Sequence, residues 1–277
     1  MLCPYPSYNP RIRYFDGSLI PIPCNTCKVC KMNLQTYYSN RIYCAYKSHD
    51  VSAFVTFTYD DSHLPFNDGY INPTLRRLDS HRYIDKIKHQ LNSISFEYFL
   101  CGEYGDKLGR PHYHALFFGL DYQAHEKFFQ DSWKLGSVKV LPVTPQSFRY
   151  VTKYVSKNTY ALESNYSDYG QEKPFFMFSR GLGVKQYLLH RDEIEQNGYF
   201  VLDSKKIYIN RYYFNKLVGH TSYNIESLLA RGSEARSEKA HDALRYGFRT
   251  PEAFEQANAI TSCDSLVSSS INRTSKL

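Results

Sequence analysis

The stretch "SFEYFLCGEYGDKLGRPHYHALFFG", Ser95–Gly119, decides how this chain folds. Its first part and its last eight residues are runs of aromatic, aliphatic and β-branched side chains. Between them "DKLGRP" supplies the Gly and Pro residues of a hairpin loop. Two neighbouring antiparallel strands are therefore expected. On the second strand, residues two apart face the same way. His112 and His114 project together, and Leu116 and Phe118 continue that face. Tyr113, Ala115 and Phe117 make the other face apolar as well, the pattern of a central strand covered on both sides. Two imidazoles at the start of such a strand can chelate one divalent metal, or can stand as strand-end histidines without a ligand. The hairpin brings Glu103 alongside them. Two histidines and a carboxylate suit Mg2+ or Mn2+ and leave positions open for a phosphate, although zinc hydrolases use similar sets.

Working outward, "VSAFVTFTYDD" from Val51 reads as a buried strand. A helix is expected over 31–47, with Leu34, Tyr38, Ile42 and Ala45 on one stripe, and another over 79–92, with Tyr83, Ile84, Ile87 and Leu91 buried. A helix over 125–133 and the strand "SVKVLPV" follow. Pro145 opens the helix "PQSFRYVTKYVSKN". On it Tyr150, Lys153, Tyr154 and Lys157 fall within an arc of about 100°. Phe148, Val151 and Val155 occupy another face and can anchor the helix. Tyrosine is a poor nucleophile at its ordinary pKa of about 10. A metal polarising a phosphate, with lysines near the developing charge, supplies what it lacks. The same stripe also fits an ordinary amphipathic helix with Tyr and Lys exposed.

The formal net charge of +7, with 26 Tyr and 18 Phe in 277 residues, favours an anionic partner onto whose bases aromatic rings can stack. Arg76 and Arg77 belong to one basic stretch. Lys205 and Lys206 belong to a second, mixed with tyrosines. Either can track DNA phosphates or simply face solvent. Asp60 and Asp61, at the end of the first strand, are further candidates for contact with metal or DNA, while Thr56 and Thr58 read as structural. No apolar run is long enough to span a bilayer, and the N-terminus has no signal-peptide pattern, so no membrane partner and a cytoplasmic location are expected. In that compartment cysteines read as thiols or metal ligands. Cys24, Cys27 and Cys30 form C-x2-C-x2-C, and Cys3 can add a fourth thiolate. A structural Zn2+, an iron–sulfur cluster and free thiols in a Pro-rich loop all remain open readings. Residues 1–30 are expected to be irregular.

Three segments, "FVTFTYDD" (Phe54–Asp61), "CGEYGDKLGRPHYHALFFG" (Cys101–Gly119) and "YVTKYVSK" (Tyr150–Lys157), resemble in order the three motifs of HUH endonucleases, the rolling-circle replication initiators. "PCNTCKVC", "CGEYG…GRPHYHA" and "FMFSRGLG" are similar to the initiators of the gokushovirus branch of the Microviridae, single-stranded DNA phages. The likeness covers about residues 1–220. It implies an α+β fold with a central antiparallel sheet flanked by helices. It implies a metal on His112 and His114, with Glu103 at the position of a third ligand. It also implies a covalent mechanism in which Tyr150 and Tyr154 alternate: one attacks a DNA phosphate, forms a 5′-phosphotyrosine and frees a 3′-hydroxyl primer, and rejoining needs no ATP. Tyr113 departs from the aliphatic residue that many members carry between the histidines. The expected division is a Cys-rich segment and helix over 1–50, an endonuclease core with its elaboration over 51–220, and a helical then partly disordered tail over 221–277. The implied partners are single-stranded origin DNA and the replicative-form duplex in the bacterial cytoplasm. Because the chain has no P-loop motif, a host helicase is expected beside the host polymerase. A relaxase or transposase with the same chemistry, and a non-catalytic single-stranded DNA-binding protein, are the alternatives.

Overall fold

The computed structural model describes residues 3–13, 17, 19–105, 109–160, 163–209, 212–214, 216 and 245; the side chains of 149, 154, 156–160 and 163–165 fall outside that description. The expected tail over 221–277 lies outside the described residues except for Arg245. In chain order the elements are β1 (Ser7–Arg13), β2 (Leu19–Ile22), α1 (Lys28–Lys47), β3 (Ser52–Tyr59), α2 (Arg77–Gln90), β4 (Glu97–Tyr104), β5 (Pro111–Phe118), α3 (Glu126–Ser132), β6 (Gly136–Leu141), α4 (Pro145–Tyr160), α5 (Glu163–Asp168), β7 (Phe175–Phe178), α6 (Val184–Leu189), α7 (Arg191–Asn197), β8 (Tyr199–Leu202) and β9 (Lys205–Tyr208). They divide into two compact units, one of residues 35–189 and one of residues 1–34 with 190–277.

The 35–189 unit holds a five-stranded antiparallel sheet in the order β6-β3-β5-β4-β7. β5 is the middle strand, as its two apolar faces require. One face carries Val55, Phe57 and Tyr59 of β3, Leu100 of β4, and Tyr113, Ala115 and Phe117 of β5. These pack on Tyr83, Ile84 and Ile87 of α2 and on Phe129 and Trp133 at α3, forming the main core. The opposite face is covered by α1 and α4. Tyr38 of α1 packs edge-on against Phe99, Phe176 and Phe178, and Tyr46 of α1 meets Phe148 of α4.

Tyr113 fits between the histidines because both its ring and its hydroxyl are accommodated. The ring is fully buried and stacks on Phe57. The Arg76 backbone N–H donates to the Tyr113 hydroxyl at 2.9 Å. Tyr59 donates to Asp79 Oδ2, so it accepts from Tyr113 at 2.8 Å. A buried hydroxyl with two partners carries no desolvation penalty for a missing bond. The start of α2 is thereby tied to the middle of β5.

The other unit carries two antiparallel hairpins, β1-β2 and β8-β9. The first corrects the expectation that residues 1–30 are irregular. Prolines at 10 and 21 argue against a central strand, but in a two-stranded ribbon every strand has a free edge where a missing N–H costs nothing. Across the β8-β9 turn, Asp203 and Ser204 both adopt positive φ, 45° and 63°, the backbone of a two-residue hairpin turn.

Candidate active site

The pairing register of the sheet assembles the site. His112 stands opposite Glu103 on β4 and Thr58 on β3, while His114 stands opposite Cys101 and Thr56. Residues directly opposite in a sheet share a face. Glu103, His112 and His114 therefore meet, and their ligand atoms all lie within 4.8 Å of one another. Glu103 Oε1 is 3.0 Å from the Nε2 atoms of both histidines. Glu103 and His114 are buried, at 3% and 6% exposure, and a carboxylate that deep must be paired. Burial pushes the Glu103 carboxyl up, but its contacts with His112, His114 and Tyr150 outweigh that and hold it at about 2. Burial pushes His114 down from its ordinary value, and the neighbouring His112 adds to this against the opposing pull of Glu103.

The second nitrogens of both rings are held from behind. His112 Nδ1 lies 3.0 Å from the Arg110 carbonyl oxygen, and His114 Nδ1 lies 2.9 Å from Thr56 Oγ1. A carbonyl can only accept, so Nδ1 of His112 carries the proton. A neutral His112 then aims a bare Nε2 lone pair at a carboxylate oxygen, and that arrangement calls for a proton or a cation between them. Imidazoles backed in this way on one nitrogen and bare on the other are the usual form of metal ligands. The donor set thus fits a divalent metal.

α4 brings the tyrosine. Its start is fixed by a reciprocal cap: the Ser147 N–H donates to Thr144 Oγ1, and the Thr144 N–H donates to Ser147 Oγ. Pro145 fits the first turn because its missing N–H would have no partner there. Val151 and Val155 are fully buried and anchor the helix. Tyr150 stays 38% exposed, and its hydroxyl donates to Glu103 Oε1 at 2.8 Å. Its ring lies edge-on to His114, with centroids 4.6 Å apart. Lys153 is exposed on the same helix. The side chains of Tyr154 and Lys157 lie outside the described residues.

Four other candidates sit elsewhere. Arg76 and Arg77 begin α2, whose first turn is bonded to Tyr113, so they belong to the sheet face away from the histidines. The Arg76 guanidinium donates to the Phe66 carbonyl, and that of Arg77 lies 4.5 Å over the Phe175 ring. Lys205 and Lys206 are exposed on β9, with Lys206 Nζ 4.5 Å over the Tyr199 ring. Asp61 pairs with Arg110 at 2.7 Å, and Asp60 accepts from Ser62 and the His63 N–H. Neither belongs to the Glu103 cluster. Sequence reasoning missed the part Thr56 plays. "TFT" on β3 alternates in step with "HYH" on β5, but that is visible only once the register is known. Phe54, stacked on His114 with centroids 5.8 Å apart, was missed for the same reason.

Residues 52–159 match the model of the replication-associated protein ORF2 family. The chain is similar to three curated phage proteins. These are Replication-associated protein VP4 of Bdellovibrio phage phiMH2K (29% identical, 69% of this chain and 65% of that protein), Replication-associated protein ORF4 of Chlamydia phage 1 (27%, 73% and 55%) and Replication-associated protein ORF2 of Spiroplasma virus 4 (24%, 67% and 62%). The matches span less than two thirds of the length of each relative. A solved structure of the minute virus of mice non-structural protein-1 N-terminal nuclease domain overlaps 56% of this chain and 82% of that one at 14% identity. Its TM-score of 0.21 is too low to bear on fold or activity. The family match over residues 52–159, together with the three phage relatives, groups this chain with the phage replication-associated proteins.

Proposed function

We propose that the chain is an HUH endonuclease that initiates rolling-circle replication by nicking and rejoining single-stranded origin DNA, with Tyr150 as a nucleophile. One observation carries this reading: the Tyr150 hydroxyl rests on the same carboxylate oxygen that joins His112 and His114. Glu103, ionised over the whole neutral range, holds the proton side of that hydroxyl and leaves an oxygen lone pair free for attack. Attack by Tyr150 Oη forms an O–P bond and breaks the bond from phosphorus to the 3′ oxygen. The tyrosine gives up one proton and the leaving 3′ oxygen takes one, so the products are a 5′-phosphotyrosine and a free 3′-hydroxyl. Reversal of the step rejoins the strand. Glu103, His112 and His114 would hold Mg2+ or Mn2+, which supplies positive charge to the phosphate oxygens. Lys153 adds charge on the same helix. Tyr154, one turn on, is the second nucleophile by helical spacing, with Lys157 beside it. The DNA partners are the origin strand and the replicative-form duplex. A host helicase and polymerase would act on the nicked product in the bacterial cytoplasm.

The test is cleavage of a labelled single-stranded origin oligonucleotide with Mn2+ or Mg2+. A denaturation-resistant protein–DNA adduct is expected from the wild type. It should persist in Tyr150→Phe or in Tyr154→Phe, and vanish in the double variant and in His114→Ala. DNA binding that needs no metal and yields no adduct would assign the chain to non-catalytic single-strand binding instead. Adduct formation on transfer or transposon-end substrates in place of origins would indicate a relaxase or transposase.

A further inference from the structure

The replication chemistry leaves Cys3, Cys24, Cys27 and Cys30 unused. All four belong to the unit of residues 1–34 with 190–277. Their sulfurs lie within 4.8 Å of one another. Cys3 Sγ is 4.0 Å from Cys27 Sγ, and Cys24 Sγ is 3.9 Å from Cys30 Sγ. Four thiolates each about 2.3 Å from a tetrahedral zinc stand about 3.8 Å apart, so these two pairs match opposite edges of a zinc–sulfur tetrahedron.

The backbone is shaped to the same end. Asn25, inside the C-x2-C turn, takes a left-handed conformation with φ 60°, which Asn tolerates better than most residues. The turn aims N–H groups at sulfur: the Cys27 N–H donates to Cys24 Sγ at 3.4 Å, the Cys30 N–H to Cys27 Sγ at 3.4 Å, and the Cys24 N–H to Cys3 Sγ at 3.3 Å. The Thr26 hydroxyl adds a donor to Cys24 Sγ at 3.4 Å. These are donors for anionic sulfur, and clustered anionic sulfurs require a cation. The β1-β2 hairpin between Cys3 and Cys24 has no fully buried residue to hold it.

We infer that Cys3, Cys24, Cys27 and Cys30 bind one structural Zn2+, separate from the Glu103–His112–His114 set, that closes the β1-β2 hairpin onto the start of α1. Zinc here supplies the folding free energy that the hairpin's exposed strands lack.

The decisive measurement is zinc K-edge X-ray absorption on the full wild-type chain purified under reductant. Four sulfur scatterers at about 2.3 Å support the site. Only nitrogen and oxygen scatterers overturn it, as do iron with acid-labile sulfide or four thiols that titrate freely in the native protein. A second measurement does not depend on zinc at the histidines. Metal-stripped His112→Ala/His114→Ala protein given Co2+ should take up one equivalent. It should show the intense visible bands and thiolate charge transfer of tetrahedral four-sulfur cobalt, and Cys24→Ser and Cys30→Ser in that background should lose the charge-transfer intensity. Pale six-coordinate cobalt in the parent would also overturn the site.

Discussion

At the scale of single residues, the site rests on one carboxylate with three partners. Glu103 ionises more readily in the folded chain, at about 2, than at its ordinary 4.5. A group with a depressed folded pKa contributes stability that is complete above the unfolded value and lost as pH falls through the folded one. His114, pushed below 6.5, contributes with the same sign: protonation at lower pH works against the fold. The metal-free wild type should therefore lose urea resistance steeply from about pH 4.5 toward about pH 2. Glu103→Gln should have a lower midpoint at neutral pH and a shallower fall over that window. Parallel curves for the two proteins would mean that Glu103 is not held in its ionised form by the histidines and Tyr150. The histidines and Glu103 were legible as a set because the hairpin loop marks which residues face each other. Thr56 was not, since its pairing partner lies 58 positions away in the chain.

At the scale of elements, the histidine strand is steadied from its far side. Tyr113 joins β5 to the first turn of α2, and the Tyr59–Asp79 contact extends the tie. Tyr113→Phe leaves the Arg76 N–H short of its partner and should cost about 1–3 kcal/mol of stability, read as a drop in urea midpoint. An unchanged midpoint would show that water replaces the hydroxyl. The helices and the inner strands were readable from periodicity, because each pairs one apolar stripe with a long enough run. β7 was not: "FFMF" has four residues and no alternation, and only its docking on β4 makes it a strand. The β1-β2 hairpin was hidden by its prolines for the reason already given, that edge strands tolerate what central strands do not. The order and direction of the sheet followed from the one hairpin that was legible, whereas the face on which Arg76 and Arg77 lie depended on a tertiary bond to Tyr113.

At the scale of the whole molecule, the net charge of +7 sets how the chain meets a polyanion. Each phosphate contact on a single strand contributes about −0.7 to the slope of log affinity against log salt. Lys205 and Lys206 are exposed on one hairpin, so replacing both with Ala should flatten that slope by about 1.4, measured by fluorescence anisotropy over a salt series. Arg76→Ala/Arg77→Ala should leave it unchanged, since one guanidinium is engaged by a carbonyl and the other by a ring. The reverse result would exchange the roles of the two basic stretches. Among the described residues no helix is long and apolar enough to cross a membrane. The ligand set spans β4 and β5, and a slip of one residue between them would turn Glu103 to the opposite side of the sheet. A chain with a misaligned sheet can still be compact, yet it would lack the third donor. The fraction of a preparation that saturates with Mn2+ is accordingly a census of correctly threaded molecules, a quality measure for refolded protein that needs neither DNA nor turnover.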